Sequence, residues 1–68
     1  MTFFVPKGKK MRVHASDSWH DFASEEDLGP VKVYFEGGSV VITQAKDTVF
    51  LGAWGPGDWK NAEVLAAS

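Results

Sequence analysis

Two glycines near the centre of the chain separate two runs of residues that favour β-strands. Residues 31–36 and 39–44 are rich in valine and other β-branched or aromatic residues, and Gly37-Gly38 lies between them. A two-residue glycine turn supplies the positive φ angles that tight β-hairpins require. The sequence therefore predicts an antiparallel hairpin, whose first strand alternates between apolar and polar side chains.

The length of the chain limits the size of its core. It has 68 residues and no cysteine, so disulfides and thiolate zinc sites cannot support it. A domain of this size buries only about 60% of its unfolded surface. The hydrophobic content of 44% and charged content of 24% are those of an ordinary folded domain. We therefore expect residues 1–68 to form a single small domain that packs against a partner or forms a homo-oligomer.

Two further segments have strand patterns. Residues 11–15 alternate between apolar and polar side chains, which predicts a half-buried strand. Residues 48–54 are apolar on both faces, which predicts a strand that follows the hairpin and needs cover on both sides.

Two other segments have helical patterns. Trp19, Phe22 and Ala23 have helical spacing after a serine-rich cap, which predicts a short helical turn within residues 17–27 of a long acidic loop. Asp58 can cap residues 59–67, where alanines favour a short C-terminal helix and a last edge strand is the alternative.

Together these elements predict a mainly-β or α+β fold built on a small antiparallel meander of four or five strands. The order of a strand, a long loop and three antiparallel strands resembles a Src-homology-3-like barrel. The resemblance is one of topology and implies no ligand or functional residue, because the paired tryptophans and the alanine-leucine-tyrosine start of the proline-peptide-binding members are absent. A four-stranded sheet with one helix is the alternative.

The start of the chain indicates where the protein works. No apolar run approaches the roughly 18 residues of a membrane span, and Pro6 interrupts the first apolar residues before a signal-peptide core could form. We therefore expect a cytoplasmic protein that does not bind membranes.

Charge is distributed unevenly along the chain, although the formal net charge is only −2. Two neighbouring blocks of opposite sign could orient a partner or attract each other. The basic block consists of Lys7, Lys9, Lys10 and Arg12, and the acidic block of Asp17, Asp21, Glu25, Glu26 and Asp27.

Catalytic motifs are missing from the sequence. It has no cysteine nucleophile, no nucleophile elbow and no phosphate-binding glycine loop. His14, Asp17, His20 and Asp21 form the one cluster with a base and its possible orienting group, but their spacing does not require them to converge. We therefore expect a protein that is not an enzyme and holds no metal or cofactor.

The chain has nine aromatic residues, more than one small core can surround. We expect some of them to bind a partner, since exposed aromatic side chains are typical of interface hot spots. The candidate partner-binding residues are Tyr34, Phe50, Trp54, Trp59 and Trp19.

These observations favour a protein-protein interaction module. A small phage or mobile-element protein that inhibits a host enzyme by occupying its surface is one expected form of it. The alternative is a small nucleic-acid-binding barrel that uses the basic stretch 7–14, although the acidic block beside it would repel phosphates.

Overall fold

The structure, a computed structural model, describes residues 1–24 and 27–67 and contains seven β-strands in two antiparallel sheets. No helix occurs within these residues, so none of them forms a helix that could cross a membrane. In chain order the strands are β1 (Thr2–Phe4), β2 (Lys9–Ala15), β3 (Trp19–Ala23), β4 (Lys32–Glu36), β5 (Ser39–Gln44), β6 (Val49–Trp54) and β7 (Trp59–Ala66).

One sheet has four strands in the order β1-β4-β5-β6, and the other has three in the order β3-β2-β7. The predicted hairpin is confirmed as β4 and β5, which pair from Lys32 opposite Thr43 to Glu36 opposite Ser39. Gly37 and Gly38 connect them with φ angles of 57° and 85°. The strand β6 continues the meander, so the mainly-β prediction is also confirmed.

The helical turn predicted within residues 17–27 is wrong for the residues described. Trp19–Ala23 forms β3, which pairs with β2 along its whole length. The helical spacing misled because Phe22 alone among the three apolar residues packs against the core, while Trp19 is exposed. Pairing with β2 provides hydrogen-bond partners for the backbone of this segment and brings the two charged blocks together. These interactions outweigh the weak helix propensity of the segment.

The favoured C-terminal helix is also wrong, and the alternative of an edge strand is correct. Trp59–Ala66 forms β7, which pairs with β2 with a register shift at His14 and Ala15. The long loop of the Src-homology-3-like layout is therefore interrupted by β3, although its three-stranded meander is present. Pairing with both sides of β2 overrides the helix propensity of the alanines.

The core lies between the two sheets and is made mostly of valine. Met11 and Val13 come from the three-stranded sheet, and Val33, Val40 and Ile42 come from the four-stranded sheet. Val5 and Val31 complete the set of fully buried apolar side chains. Larger residues at the rim then supply the remaining cover.

The side chains of Gln44 and Ser24 connect segments of the two sheets and the residues that flank them. Gln44 is 4% exposed, and its Nε2 donates to the carbonyl oxygens of Ala23 at 3.2 Å and Gly29 at 3.1 Å. The Ser24 hydroxyl donates to the Val5 carbonyl at 2.9 Å and accepts from the Val31 amide at 3.0 Å. These bonds satisfy backbone groups in and beside the strand ends.

Candidate functional site

The outer face of the four-stranded sheet carries a row of four side chains that runs from one edge strand to the other. Phe4 lies opposite Lys32, Lys32 opposite Thr43, and Thr43 opposite Phe50. Their strand neighbours face the core, so alternation places the row on the side away from it. We call these four residues the aromatic row, because Phe4 and Phe50 at its ends are 55% and 68% exposed.

A carboxylate lies over the middle of the aromatic row. Asp47 Oδ1 accepts hydrogen bonds from the Tyr34 hydroxyl at 2.5 Å and the Thr43 hydroxyl at 2.7 Å. Its Oδ2 lies 3.1 Å from the ammonium group of Lys32. The hydrogen bond from Tyr34, followed by those from Thr43 and Lys32, lowers the pKa of Asp47 to about 2. The carboxylate is therefore ionised at neutral pH and has three hydrogen-bond donors.

An unusual turn positions this carboxylate. Ala45, Lys46 and Asp47 have φ angles of 53°, 55° and 71°, so three successive non-glycine residues are left-handed. That conformation is costly for residues with a Cβ atom. The Ala45 carbonyl offsets part of the cost by accepting from the Thr48 amide at 3.1 Å and its hydroxyl at 2.5 Å.

The ammonium group of Lys32 lies beside two rings of this face. Its Nζ is 5.6 Å from the ring centroid of Phe4 and 4.8 Å from that of Tyr34. Cations at such distances are attracted to aromatic faces. The aromatic row therefore has a neutralised polar centre and an exposed ring at each end.

The predicted partner-binding residues occupy three kinds of position. Phe50 and Trp19 are well exposed, on different sheets. Tyr34 is half-buried within the Asp47 network. Trp54 and Trp59 are half-buried and pack against the core, so they do not form an open patch.

The two core-packed tryptophans have different neighbours. The Trp54 ring lies 5.1 Å from His20 and 5.9 Å from Phe22. The Trp59 ring lies 5.8 Å from Phe35, and its Nε1 donates to the Gly38 carbonyl at 2.9 Å. Both therefore close the rim of the core.

Sequence reasoning missed Phe4 as a surface aromatic. The alternation of Phe3, Phe4 and Val5 contained the signal, because Phe3 and Val5 face the core and the residue between them must face away.

The charged blocks meet on the outer face of the three-stranded sheet. Arg12 donates to both oxygens of Asp21, at 2.8 and 3.0 Å, and Lys10 donates to one of them at 3.0 Å. The guanidinium group, with Lys10, holds the pKa of Asp21 well below its usual range. Much of the basic charge is thereby neutralised within the chain.

The remaining members of these blocks lie apart from this cluster. Lys7, Lys9 and Asp27 are exposed, and Asp17 contacts His20 at 3.5 Å. Glu25 and Glu26 lie outside the described residues.

The two histidines do not converge. His14 lies on the outer face of β2, where its Nε2 is 3.4 Å from Glu63 Oε2. His20 lies opposite Val13 and contacts Trp54, which places it on the core side. In residues 1–24 and 27–67, no three histidine or acidic side chains are grouped closely enough to hold a metal ion.

Comparison of the chain with protein-family models, with curated proteins and with solved structures finds no match.

Proposed function

We propose that this chain is a non-enzymatic protein-protein interaction module that binds its partner through the aromatic row. The observation that most supports this is the exposure of Phe50 and Phe4, at 68% and 55%, at the two ends of one sheet face. Aromatic residues are enriched in interface centres, and a few such residues carry most of the binding energy. Burial of both rings would therefore supply the main contacts.

The centre of the aromatic row suits burial. A partner that covers Lys32 and Asp47 removes an ion pair from water rather than an isolated charge, and Tyr34 and Thr43 already satisfy the carboxylate. Burial of an unpaired charge would be far more costly. The polar centre thus fixes the orientation of the partner, while the rings provide apolar contact.

The edge strand β6 adds a second means of contact. It ends the four-stranded sheet, and Val49–Trp54 contains neither a charged residue nor a proline. Charges and prolines are the usual protection against strand addition at sheet edges. A partner that covers Phe50 can therefore also pair with the backbone of β6.

Two kinds of partner satisfy this proposal. A second copy of the chain would form a homodimer through the aromatic row. A different protein, such as a host enzyme inhibited by a small phage or mobile-element protein, would be held by the same residues. In either case the binding partner is a protein.

The alternative of nucleic-acid binding has less support. Lys10 and Arg12 are the basic residues of β2 that face outward, and both contact Asp21. Phosphate binding depends on clustered basic residues that are free of such compensation.

Partner capture tests the proposal. Wild-type protein, the double variant Phe4→Thr/Phe50→Thr and the control Trp19→Thr would each be cross-linked in lysate, and their partners would be identified by mass spectrometry. Threonine keeps strand propensity, and Trp19 is an equally exposed aromatic residue on the other sheet. We expect wild type and control to recover the same protein, or a second copy of the chain, and the double variant to lose it.

Sedimentation velocity would separate the two kinds of partner. A wild-type dimer that the double variant converts to a monomer identifies the second copy. If wild type and the double variant are both monomers and wild type is cross-linked to a protein, the partner is a different protein. If both are monomers and no protein is cross-linked by wild type and the control but lost by the double variant, the proposal is refuted.

A further inference from the structure

A cavity lies on the other sheet, away from the aromatic row. It has a volume of about 320 Å³ and is lined by His14, Ala15, Ser18, Trp19 and Lys60. These residues come from β2, β3, β7 and the turn between β2 and β3. The cavity is shallow and open to solvent, so a ligand bound there stays partly exposed.

Trp19 lines this cavity, and its indole contacts two neighbouring side chains. Arg12 lies 4.2 Å from its ring centroid, and two hydrogen bonds from Arg12 to Asp21 hold the guanidinium group in place. The imidazole of His14 lies 5.6 Å from the ring in a tilted arrangement. The side chain is nevertheless 61% exposed. An exposed indole that already contacts these neighbours offers a stacking surface for a flat ring.

The polar groups at the cavity have unused hydrogen-bonding capacity. Within residues 1–24 and 27–67, the Lys60 ammonium and the Ser18 hydroxyl form no hydrogen bond or ion pair. The third polar group differs, because His14 Nε2 is shielded from solvent and lies 3.4 Å from Glu63 Oε2.

The lining of the cavity carries a positive charge. Lys60 is its one permanently charged residue, and no carboxylate is among the lining residues. Three carboxylates beside the lining residues have other contacts. Asp21 binds Arg12 and Lys10, Glu63 accepts from Asn61 at 3.3 Å and lies 3.4 Å from His14 Nε2, and Asp17 lies 3.5 Å from His20. The Lys60 ammonium can only donate and the Ser18 hydroxyl can donate, so a ligand that supplies acceptors matches both groups.

We propose that this cavity binds an anionic group, a phosphate or a carboxylate, that is carried on a flat ring. The ring stacks on the indole of Trp19, and the anionic oxygens accept hydrogen bonds from Lys60 and Ser18. Hydrogen bonds to charged groups are stronger than neutral ones, and aromatic stacking adds to them. Ring and anion together thus bind more tightly than either alone.

A nuclear magnetic resonance titration of the ¹⁵N-labelled full chain tests the site with four probes. Adenosine monophosphate has both ring and anion, adenosine has the ring alone, inorganic phosphate has the anion alone, and benzoate replaces phosphate with carboxylate. We expect adenosine monophosphate to shift the Trp19 indole and the Ser18 and Lys60 amide signals, with about tenfold weaker binding for adenosine and for phosphate. Benzoate binding stronger than that of adenosine assigns the site to carboxylates as well, and weaker binding restricts it to phosphates.

Variants identify the contributing groups. Lys60→Ala and Trp19→Ala should each weaken the binding of adenosine monophosphate about tenfold. The matched controls Lys9→Ala, which removes an exposed lysine at the far end of β2, and Phe50→Thr should change it less than twofold. Amide spectra would establish that each variant is folded.

Three results would overturn this proposal. They are an absence of shifts at the cavity residues, equal binding of adenosine and adenosine monophosphate, and an equal loss of binding in Lys9→Ala and Lys60→Ala. None of them bears on the aromatic row, because the two sites share no residue.

Discussion

The hydroxyl of Tyr34 donates a hydrogen bond of 2.5 Å to the carboxylate of Asp47, from a strand to a turn 13 residues later in the chain. Thr43 and Lys32 donate to the same carboxylate, and the turn that carries it is left-handed. The ionised form of Asp47 is therefore the form that the folded protein favours.

Stability should fall in acid because of this carboxylate. The folded pKa of Asp47 is about 2, and its unfolded value is about 3.9. A lowered pKa contributes stability that is complete above the unfolded value and is lost as the pH falls through the folded value. We expect Asp47→Asn to lower the thermal midpoint at pH 7, and its difference from wild type to shrink between about pH 4 and pH 2.

Tyr34→Phe provides the control for this pH dependence. It removes the hydrogen bond that lowers the pKa of Asp47 most, so the folded pKa should rise toward the unfolded value. The pH range over which acid reduces stability should therefore end at a higher pH than in wild type. A difference between Asp47→Asn and wild type that stays constant from pH 7 to pH 2 would contradict the assignment.

A methyl group at Gly52 should destabilise the fold. A Cβ atom there would lie 2.9 Å from Cη2 and 3.1 Å from Cζ3 of Trp54, whose ring is confined by His20 and Phe22. Overpacking of this kind typically costs about 1–3 kcal/mol. Urea unfolding of Gly52→Ala should show a loss in that range.

Gly55→Ala is the matched control for this substitution. Its Cβ atom would meet only a carboxylate oxygen of Asp58 at 3.5 Å, an ordinary contact. We expect it to change the free energy of unfolding much less. Equal losses for the two variants would show that the tryptophan contact is not the cause.

The indole hydrogen bond of Trp59 should be measurable in stability. Trp59→Phe removes the donor to Gly38 and part of the packing on Phe35. We expect unfolding to become easier by at least the roughly 0.5–1.5 kcal/mol of a typical hydrogen bond. Trp19→Phe, at an exposed site, should have a smaller effect in the same urea titration, and the opposite order would contradict the rim position of Trp59.

The hairpin was predictable because local chemistry determines it. Gly37-Gly38 supplies positive φ angles, and the strands on either side are rich in β-branched residues. The strands β3 and β7 were not predictable in the same way, because their formation depends on pairing with β2 across the chain. Single-segment periodicity does not contain that information.

The candidate site was only partly predictable. The excess of aromatic residues indicated that some would be exposed, and Phe50 is. The sequence could not show which of Phe50 and Trp54 would be exposed, because both occupy the same apolar strand. Only the fold determines which of the two rings packs against the core. The turn at Asp47 was also hidden, since alanine, lysine and aspartate rarely adopt left-handed conformations in succession.

The most direct test of the aromatic row is the dissociation constant for its partner, whether a second copy or the captured protein, measured with wild type, Phe4→Thr/Phe50→Thr and Trp19→Thr. Loss of both exposed aromatic contacts should weaken binding by about 30-fold or more, and the control should stay within about twofold. Unchanged affinity in the double variant, or an equal loss in Trp19→Thr, would contradict binding through this face.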